Sequence, residues 1–238
     1  MSPSETATVI DSTSTRRCII AADLHCDGSA RWLAMLEALL RSCHQLDASC
    51  YLLGDLFDVW LGPGQLTLQQ TRREVEALQR AVAANIDVVV IPGNRDFLLD
   101  EAFERATGVV VGGDHLLLET GDQRWHLSHG DLFGTADVGY QRLRKILRSG
   151  PFRMLVRHMP LLLCRALATF LRRRSRKSLQ RKDPARIQPD LQLIGQLVES
   201  GFDQVVCGHY HRPSEEFLER GGSRGVFTVL EAFEDRGA

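Results

Sequence analysis

The sequence lacks several features that would place it in a common class of protein. Its six cysteines form no CxxC pair, and no apolar run reaches the roughly 18 residues that a membrane-spanning helix needs. Scattered cysteines beside apolar runs are typical of reduced side chains in a cytosolic protein rather than of a disulfide framework. Residues 1–15 have neither a basic start nor an apolar centre, so we expect a disordered lead-in and not a signal peptide.

Acidic residues are missing from one long segment, residues 138–182. This segment holds 14 of the 29 Lys and Arg residues, whereas the rest of the chain holds the other 15 together with all 30 Asp and Glu residues. The segregation is hidden by a net charge of -1 and indicates an anionic partner for the basic segment. Within this segment only Phe152 and Phe170 follow Tyr140 as aromatic residues, so few side chains are available for base stacking, and we favour an anionic membrane surface over nucleic acid.

Short apolar runs predict buried strands, and five of them are followed by residues that can bind metal ions. The clearest run, residues 88–91, is entirely β-branched and leads into Pro92-Gly93-Asn94. A charge-free run of this kind is typical of a strand buried on both faces, and open α/β sheets collect ligands at the carboxyl ends of such strands. Taken alone, the segment is equally well interpreted as a strand-to-helix turn with a helix cap.

The same pattern occurs at four other strand ends. They carry Asp23 and His25, Asp55, His129, and His209 with His211. Residues two apart in an extended segment point the same way, so Asp23 with His25, and His209 with His211, can each face one point. With Asn94 these are seven nitrogen and oxygen donors, which favour Mn, Fe, Zn or Mg-like ions over a structural zinc. Seven donors suit two ions that share Asp55, an arrangement that stabilises the attacking and leaving oxygens in displacement at phosphorus.

The ordered set DxH, GD, GN, HG and GHxH resembles the calcineurin-like metallophosphoesterases. The resemblance implies an α/β fold, a four-layer α/β/β/α sandwich over residues 16–238 with a basic helical cap inserted at about residues 138–188. It implies two divalent ions, which we expect to be Mn²⁺, and a metal-bound water held by Asp55 that attacks the phosphorus. In that family pattern one ion would be held by Asp23, His25, Asp55 and His211, and the other by Asp55, Asn94, His129 and His209.

Within that superfamily, residues 18–233 resemble the UDP-2,3-diacylglucosamine hydrolases of lipid A biosynthesis. Arg95 stands where most of the superfamily has His, in the motif GNRDFLL, and residues 135–141 read TADVGYQ. The resemblance implies hydrolysis of the pyrophosphate of UDP-2,3-diacylglucosamine to UMP and 2,3-diacylglucosamine 1-phosphate. Arg95 would stabilise phosphate charge, because a guanidinium binds phosphate bidentately and does not deprotonate.

The same resemblance implies further contacts with the substrate and the membrane. Asn94 and His209 would contact the substrate beside Arg95, and the cap would accommodate two acyl chains. Its basic face would rest on the cytoplasmic leaflet, where each nearby Lys or Arg contributes ~1 kcal/mol. We therefore expect a cytoplasmic protein that is peripheral on the inner membrane. The remaining implied substrate contacts are Asp137, Tyr140, Ser175 and Lys182.

Three other functions stay open at this point. A metallophosphoesterase for another phosphoester or nucleotide is favoured if the cap is too small or too polar for acyl chains. A catalytically silent scaffold is disfavoured because all seven donors are present. A nucleic-acid-binding module would show salt-sensitive binding without metal dependence.

Helices and strands are also predicted outside the motifs. The four remaining histidines, His44, His115, His126 and His158, are expected on the surface or in the core. Residues 109–127 are expected to form a three-stranded β-meander, and residues 225–230 a closing strand. Helices are expected over residues 31–43, 71–85, 100–107, 140–148, 161–171 and 189–200.

Overall fold

The computed structural model describes residues 7–11, 17–179 and 187–233. Its helices are α1 (Ala30–Gln45), α2 (Gln69–Ala83), α3 (Glu101–Thr107), α4 (Val138–Leu147), α5 (Gly150–Arg157), α6 (Leu161–Leu179) and α7 (Leu191–Glu199). Its strands are β1 (Ala7–Asp11), β2 (Arg17–Ala21), β3 (Ala48–Leu53), β4 (Val88–Ile91), β5 (Val110–Val111), β6 (His115–Thr120), β7 (Gln123–Ser128), β8 (Gln204–Cys207), β9 (Ser214–Arg220) and β10 (Ser223–Val229).

The strands form two sheets. The smaller sheet has the order β2-β3-β4-β5 and is parallel throughout. The larger sheet has the order β1-β6-β7-β8-β10-β9 and mixes parallel with antiparallel pairs. A parallel strand is buried on both faces, which explains why β3 and β4 contain only buried residues.

Alternate residues of the central strands serve two different cores. In β4, Val88 and Val90 pack with α1, α2 and α3 on the outer face of the smaller sheet. Val89 and Ile91 face the larger sheet and pack between the two sheets with residues of β6, β7 and β8. A third core lies between the larger sheet and α7. The fold is therefore the expected four-layer α/β/β/α sandwich.

The strand directions bring all five ligand-bearing loops to one edge of the sandwich. In the smaller sheet, β2, β3 and β4 run parallel, and Asp23, Asp55 and Asn94 follow their carboxyl ends. In the larger sheet β7 and β8 are also parallel to each other, and they end just before His129 and Gly208. The backbone joins the two sheets here, because the Phe233 N–H donates to the Ala22 carbonyl at 3.0 Å.

The first strand departs from the expectation for residues 1–15. Ala7–Asp11 pairs in parallel with β6 at the edge of the larger sheet, so the expectation of a disordered lead-in is wrong for these five residues. The β-branched run Thr8-Val9-Ile10 explains the strand, because such residues fit a pleated surface.

Three further elements differ from the sequence predictions. The predicted meander is wrong in its first strand, because β5 pairs with β4 in the smaller sheet. The chain then crosses to the larger sheet, where the second and third predicted strands, β6 and β7, form a hairpin. Helix α5 was not predicted, and Pro151 lies in its first turn, behind the Ser149 N-cap. The charged edge strand β9 was not predicted at all.

The basic segment contains three consecutive helices, α4, α5 and α6, where the inserted cap is expected. Val156 of α5 and Cys164 of α6 are buried in the same core as α1, α2 and α3. Among the described residues, no helix is long and apolar enough to cross a bilayer.

Candidate metal centre

Five of the seven predicted ligands have a left-handed backbone conformation. Such conformations cost non-glycine residues about 1–3 kcal/mol each and persist only where the surrounding structure enforces them. Their grouping at one edge of the sandwich identifies a functional region. The φ angles are 55° at Asp23, 52° at His25, 50° at Asp55, 72° at His209 and 52° at His211.

Backbone hydrogen bonds hold the strained loops against one another. The His25 N–H donates to the Asp55 carbonyl at 2.9 Å, which joins the loops after β2 and β3. The His209 N–H donates to Asp23 Oδ2 at 2.8 Å, which joins the two sheets. Gly208 makes this approach possible, because a Cβ at that position would collide with the Asp23 carboxylate.

The first group of candidate ligands is Asp23, His25 and His211. One ligand atom from each residue lies within 4.8 Å of the others. His211 Nε2 is 3.7 Å from Asp23 Oδ1, and the rings of His25 and His211 stack with centroids 5.5 Å apart. Asp23 and His25 are buried, whereas His211 is partly exposed and faces the opening of the site.

The second group is Asp23, Asp55 and His129, again within 4.8 Å of one another. His129 Nδ1 lies 3.0 Å from the Leu53 carbonyl, which can only accept, so Nδ1 carries the hydrogen and Nε2 presents its lone pair to the site. His209 Nδ1 is 3.1 Å from His129 Nε2. Asp23 is common to both groups. Asp55, which the sequence pattern predicts as the shared ligand, also lies near both, with Oδ2 3.9 Å from His25 Nδ1 and Oδ1 3.9 Å from His129 Nε2.

Asn94 completes the set beside Asp55. One terminal atom of its amide lies 3.0 Å from Asp55 Oδ1 and 2.7 Å from Asp55 Oδ2. If this atom is nitrogen, it donates to the carboxylate. If it is oxygen, as a metal ligand requires, it repels the carboxylate unless a cation lies between them.

The electrostatics of the buried cluster fit a bound cation. Asp23 Oδ1 is buried and has no hydrogen-bond partner among the described residues, a situation that costs about 1–3 kcal/mol. Burial, followed by the neighbouring carboxylates Asp96 and Asp23, raises the pKa of Asp55 to about 7 although His129 opposes this. Burial and the neighbouring His129 lower the pKa of His209 to about 3, so its imidazole is neutral and able to bind metal at pH 7. A cation bound among these side chains would neutralise the carboxylates while the imidazoles stay unprotonated.

Arg95 lies at the rim of the cluster. Its N–H donates to Asp55 Oδ1 at 2.8 Å, and its guanidinium Nε is 3.4 Å from Asp55 Oδ2. The guanidinium also donates from Nη1 to Asp58 Oδ1 at 2.9 Å, and 41% of the side chain is exposed. The permanent charge of Arg95 is therefore held next to the candidate ligands while remaining accessible from solvent.

The other predicted substrate residues lie at different distances from the cluster. The ring centroid of Tyr140 is 6.4 Å from that of His209, and its hydroxyl donates to Asp131 at 2.6 Å. Asp137 is the N-cap of α4 and accepts from the Tyr140 N–H at 3.1 Å. Ser175 belongs to α6, and Lys182 lies outside the described residues.

Sequence reasoning missed a set of charged side chains behind the cluster. Arg144 donates to Asp131 at 2.8 Å and to Asp114 at 2.6 Å, and all three side chains are buried. Burial opposes ionisation of Asp131, yet Arg144 and then Arg148 hold its pKa well below its usual range. The available signal was the spacing of Tyr140, Arg144 and Arg148, which places the three side chains on one face of α4.

Comparison with known proteins agrees with the geometry. The family model described as calcineurin-like phosphoesterase matches residues 16–213. A UDP-2,3-diacylglucosamine hydrolase of Pseudomonas putida is 30% identical over 225 residues, which cover 92% of each chain. Proteins with the same name from Pseudomonas entomophila and Stutzerimonas stutzeri are 31% identical, again over 92% of each chain. The solved phosphoesterase YfcE of E. coli is 24% identical over 50% of this chain and 59% of its own, with a TM-score of 0.35, a likeness too weak to bear on the fold.

Proposed function

The chain belongs to the calcineurin-like phosphoesterase family, and from this premise we propose that it hydrolyses the pyrophosphate bond of UDP-2,3-diacylglucosamine to UMP and 2,3-diacylglucosamine 1-phosphate. As a member of that family it is a metal-dependent hydrolase. The names of relatives that match over 92% of the chain support this substrate. The observation that carries the proposal is an apolar cavity that begins beside Arg95.

This cavity lies between the metal centre and helices α4, α5 and α6. Its volume is about 250 Å³, near the lower end of ligand-binding pockets. Asn94, Arg95 and Tyr140 are its polar residues, and all are at or beside the candidate metal ligands. The remaining walls are apolar and include Trp60, Phe97, Leu98, Leu143, Leu147, Phe152, Val156, Leu167 and Ala168.

The position of the cavity favours an acylated substrate over a nucleotide or a phosphoprotein. Beyond its phosphates a nucleotide offers a ribose and a base whose polar groups need hydrogen-bonding partners, which the apolar walls of this cavity do not supply. An acyl chain gains roughly 0.8 kcal/mol for each buried methylene group. A molecule that carries a pyrophosphate next to acyl chains fills both parts of the site.

We propose that two Mn²⁺ ions act at the metal centre. One would be held by Asp23, His25, Asp55 and His211, and the other by Asp55, Asn94, His129 and His209, since oxygen and nitrogen donors without sulfur suit such ions. Bound ions of this kind polarise phosphoryl oxygens and lower the pKa of water. Asp55 would orient the attacking water, since its buried carboxylate lies 3.9 Å from ring nitrogens of both His25 and His129.

In this proposal Arg95 binds the phosphate groups of the substrate and stabilises their negative charge. Its guanidinium lies beside Asp55 and is partly exposed, so that it would be accessible to a pyrophosphate. His209 would contact the same phosphates, and Tyr140 and Asp137 would contact the sugar and uridine parts near the start of α4. Ser175 and Lys182 remain proposed as further substrate contacts.

The corner between α5 and α6 is the proposed membrane contact. It exposes Met154 (68%), Leu155 (59%), Leu162 (77%) and Leu163 (55%), and it belongs to the segment that contains no acidic residue. Apolar side chains in a basic surrounding suit the anionic cytoplasmic leaflet, which also holds acylated substrates. The protein would therefore act in the cytoplasm at the surface of the inner membrane.

A matched pair of variants on α6 tests the proposal. Ala168 lines the cavity, whereas Ala166 on the same helix is exposed. We expect UMP release from UDP-2,3-diacylglucosamine with Mn²⁺ to require metal and Asn94, so a chelator or Asn94→Ala abolishes it. Ala168→Phe should lower kcat/KM for this substrate about tenfold or more, because overfilling a packed cavity costs about 1–3 kcal/mol.

The controls separate the substrate from the chemistry. Ala166→Phe should leave UMP release unchanged, and Ala168→Phe should leave hydrolysis of a small aryl phosphodiester unchanged. If the wild-type protein cleaves the aryl phosphodiester but releases no UMP, the metallophosphoesterase activity stands and the substrate is a different phosphoester or nucleotide.

A further inference from the structure

Arg148 follows the last residue of α4 and lies outside all five loops that carry the candidate ligands, yet it contacts one of them directly. Its Nη2 donates to the carbonyls of Pro92 and Gly93, both at 2.9 Å. These two residues immediately precede Asn94. Its Nη1 donates to Asp114 Oδ1 at 2.5 Å, and the side chain is only 17% exposed. A single guanidinium thus joins a buried carboxylate to the backbone of the Asn94 loop.

The opposite side of the same peptide is held by Asp96. Its Oδ1 accepts from the Gly93 N–H at 2.6 Å, and its Oδ2 accepts from the Leu56 N–H at 2.7 Å. Gly93 also lies so close to Asp55 that a Cβ on Gly93 would collide with the Asp55 carboxylate. The backbone of Gly93 is therefore fixed on both sides, through its N–H by Asp96 and through its carbonyl by Arg148.

From this geometry we infer that Arg148 is a positioning residue for Asn94. It fixes the backbone conformation of the loop from which the Asn94 amide reaches Asp55. It therefore supports binding of the one ion to which Asn94 is a ligand. The inference rests on the proposed metal-binding role of Asn94 but not on the identity of the substrate. Only an arginine suits the place, because the planar fork serves a carboxylate and two carbonyls together.

Loss of Arg148 should affect binding of only one of the two ions. Asp23, His25 and His211 are held by other contacts, chiefly the backbone bonds between the loops after β2, β3 and β8. Loss of Arg148 should therefore weaken binding of the ion at Asn94 and leave binding of the ion at His25 and His211 unchanged. A purely structural role would instead weaken both ions together.

The experiment is a Mn²⁺ titration of the metal-free full-length protein, followed by calorimetry and EPR. The wild type should bind two ions and give the EPR signal of an exchange-coupled pair. Arg148→Met should bind the first ion with unchanged affinity and the second roughly 10–100-fold more weakly, as found when other partners of metal ligands are removed. At a Mn²⁺ concentration that fills both wild-type sites, the variant should show an uncoupled Mn²⁺ signal.

A matched control and a milder variant accompany the test. Arg142→Met removes an exposed arginine from α4 and should behave as the wild type. Arg148→Lys keeps a positive charge beside Asp114 but cannot serve all three acceptors, so it should show the same selective loss to a smaller degree even if Arg148→Met does not fold.

Two results overturn the inference. One is an equal weakening of both ions in Arg148→Lys, and the other is unchanged binding of both ions in Arg148→Met. If the wild type itself binds fewer than two ions, the proposed dinuclear centre fails, and the inference fails with it.

Discussion

The metal centre and the α4–α6 segment (residues 138–179) lie side by side but are built differently. Backbone geometry places the ligands of the metal centre, since five of the seven have a left-handed conformation and hydrogen bonds join their loops. The α4–α6 segment is placed by side chains: apolar packing of Val156 and Cys164, and ion pairs of Arg144 and Arg148. The chemistry therefore depends on the strand ends, and substrate choice depends on side chains that can be exchanged singly.

The largest effect is expected from a change inside the metal centre. Asp23→Asn removes the carboxylate that lies between both groups of histidines. We expect activity to fall by more than the 10–100-fold that is typical for partners of metal ligands, together with loss of bound metal measured by elemental analysis. Asp27→Asn, in the same loop but exposed, should keep both. Full activity of Asp23→Asn would contradict the assignment.

Arg144 connects the two regions, so its loss should affect both. Arg144→Met leaves Asp114 and Asp131 buried with less compensation. Breaking a buried ion pair by removing one partner costs about 3–5 kcal/mol, and we expect a decrease of that size in the free energy of unfolding in urea. A decrease below 1 kcal/mol would mean that the ion pairs of α4 do not fasten the segment to the strand ends.

The buried residue His126 lies outside both regions. It should make the stability of the protein depend on pH. Burial, followed by the neighbouring His115, lowers the pKa of His126 to about 3. The unfolded chain then binds a proton below about pH 6.5 that the folded chain excludes, so the free energy of unfolding falls as the pH falls from about 6.5 towards 3. The slope from this group approaches about 1.4 kcal/mol per pH unit.

The variant His126→Phe isolates this contribution. The stability of the variant relative to the wild type should rise as the pH falls through that window, measured by urea unfolding at several pH values. A difference that stays constant with pH would show that His126 takes up its proton at the same pH in the folded protein as in the unfolded chain.

The smallest effect is expected at the corner of α5 and α6. The double change of Leu162 and Leu163 to Ser should leave the free energy of unfolding within about 0.5 kcal/mol, because both side chains are exposed. Binding to vesicles that contain anionic lipid should weaken about tenfold, a loss of about 1.4 kcal/mol. Leu191→Ser, at an exposed leucine of α7, is the control and should leave vesicle binding unchanged.

The sequence predicts the ligand-bearing strand ends better than it predicts contacts between side chains that lie far apart in the chain. The five ligand-bearing loops could be predicted because each follows a short run of buried residues, and the structure brings all seven predicted donors to one edge. That Asp23 Oδ1 lies within 4.0 Å of both His129 and His211 could not be predicted, since it depends on how the two sheets meet. The hydrogen bonds of Asp96 and Arg148 to the Gly93 backbone could not be predicted either, because these two residues are more than 50 residues apart and only the fold brings them together.

Local signals failed where a partner strand or a cap decides the structure. The short strand β1 forms because β6 offers it an edge, and β5 joins the smaller sheet although Gly112 and Gly113 resemble a hairpin turn. The strand β9 was hidden by its charges, which an exposed edge strand tolerates. Pro151 suits the start of a helix as well as its end, and the Ser149 cap decides between them.

The central claim is that the metal centre and the apolar cavity act on one substrate. The most direct measurement compares kcat/KM for UDP-2,3-diacylglucosamine with that for UDP-N-acetylglucosamine, which has the same pyrophosphate and no long acyl chain, both with Mn²⁺. Burial of only five methylene groups at roughly 0.8 kcal/mol each predicts a preference of about 1,000-fold or more for the acylated substrate. Equal values for the two substrates would contradict the claim.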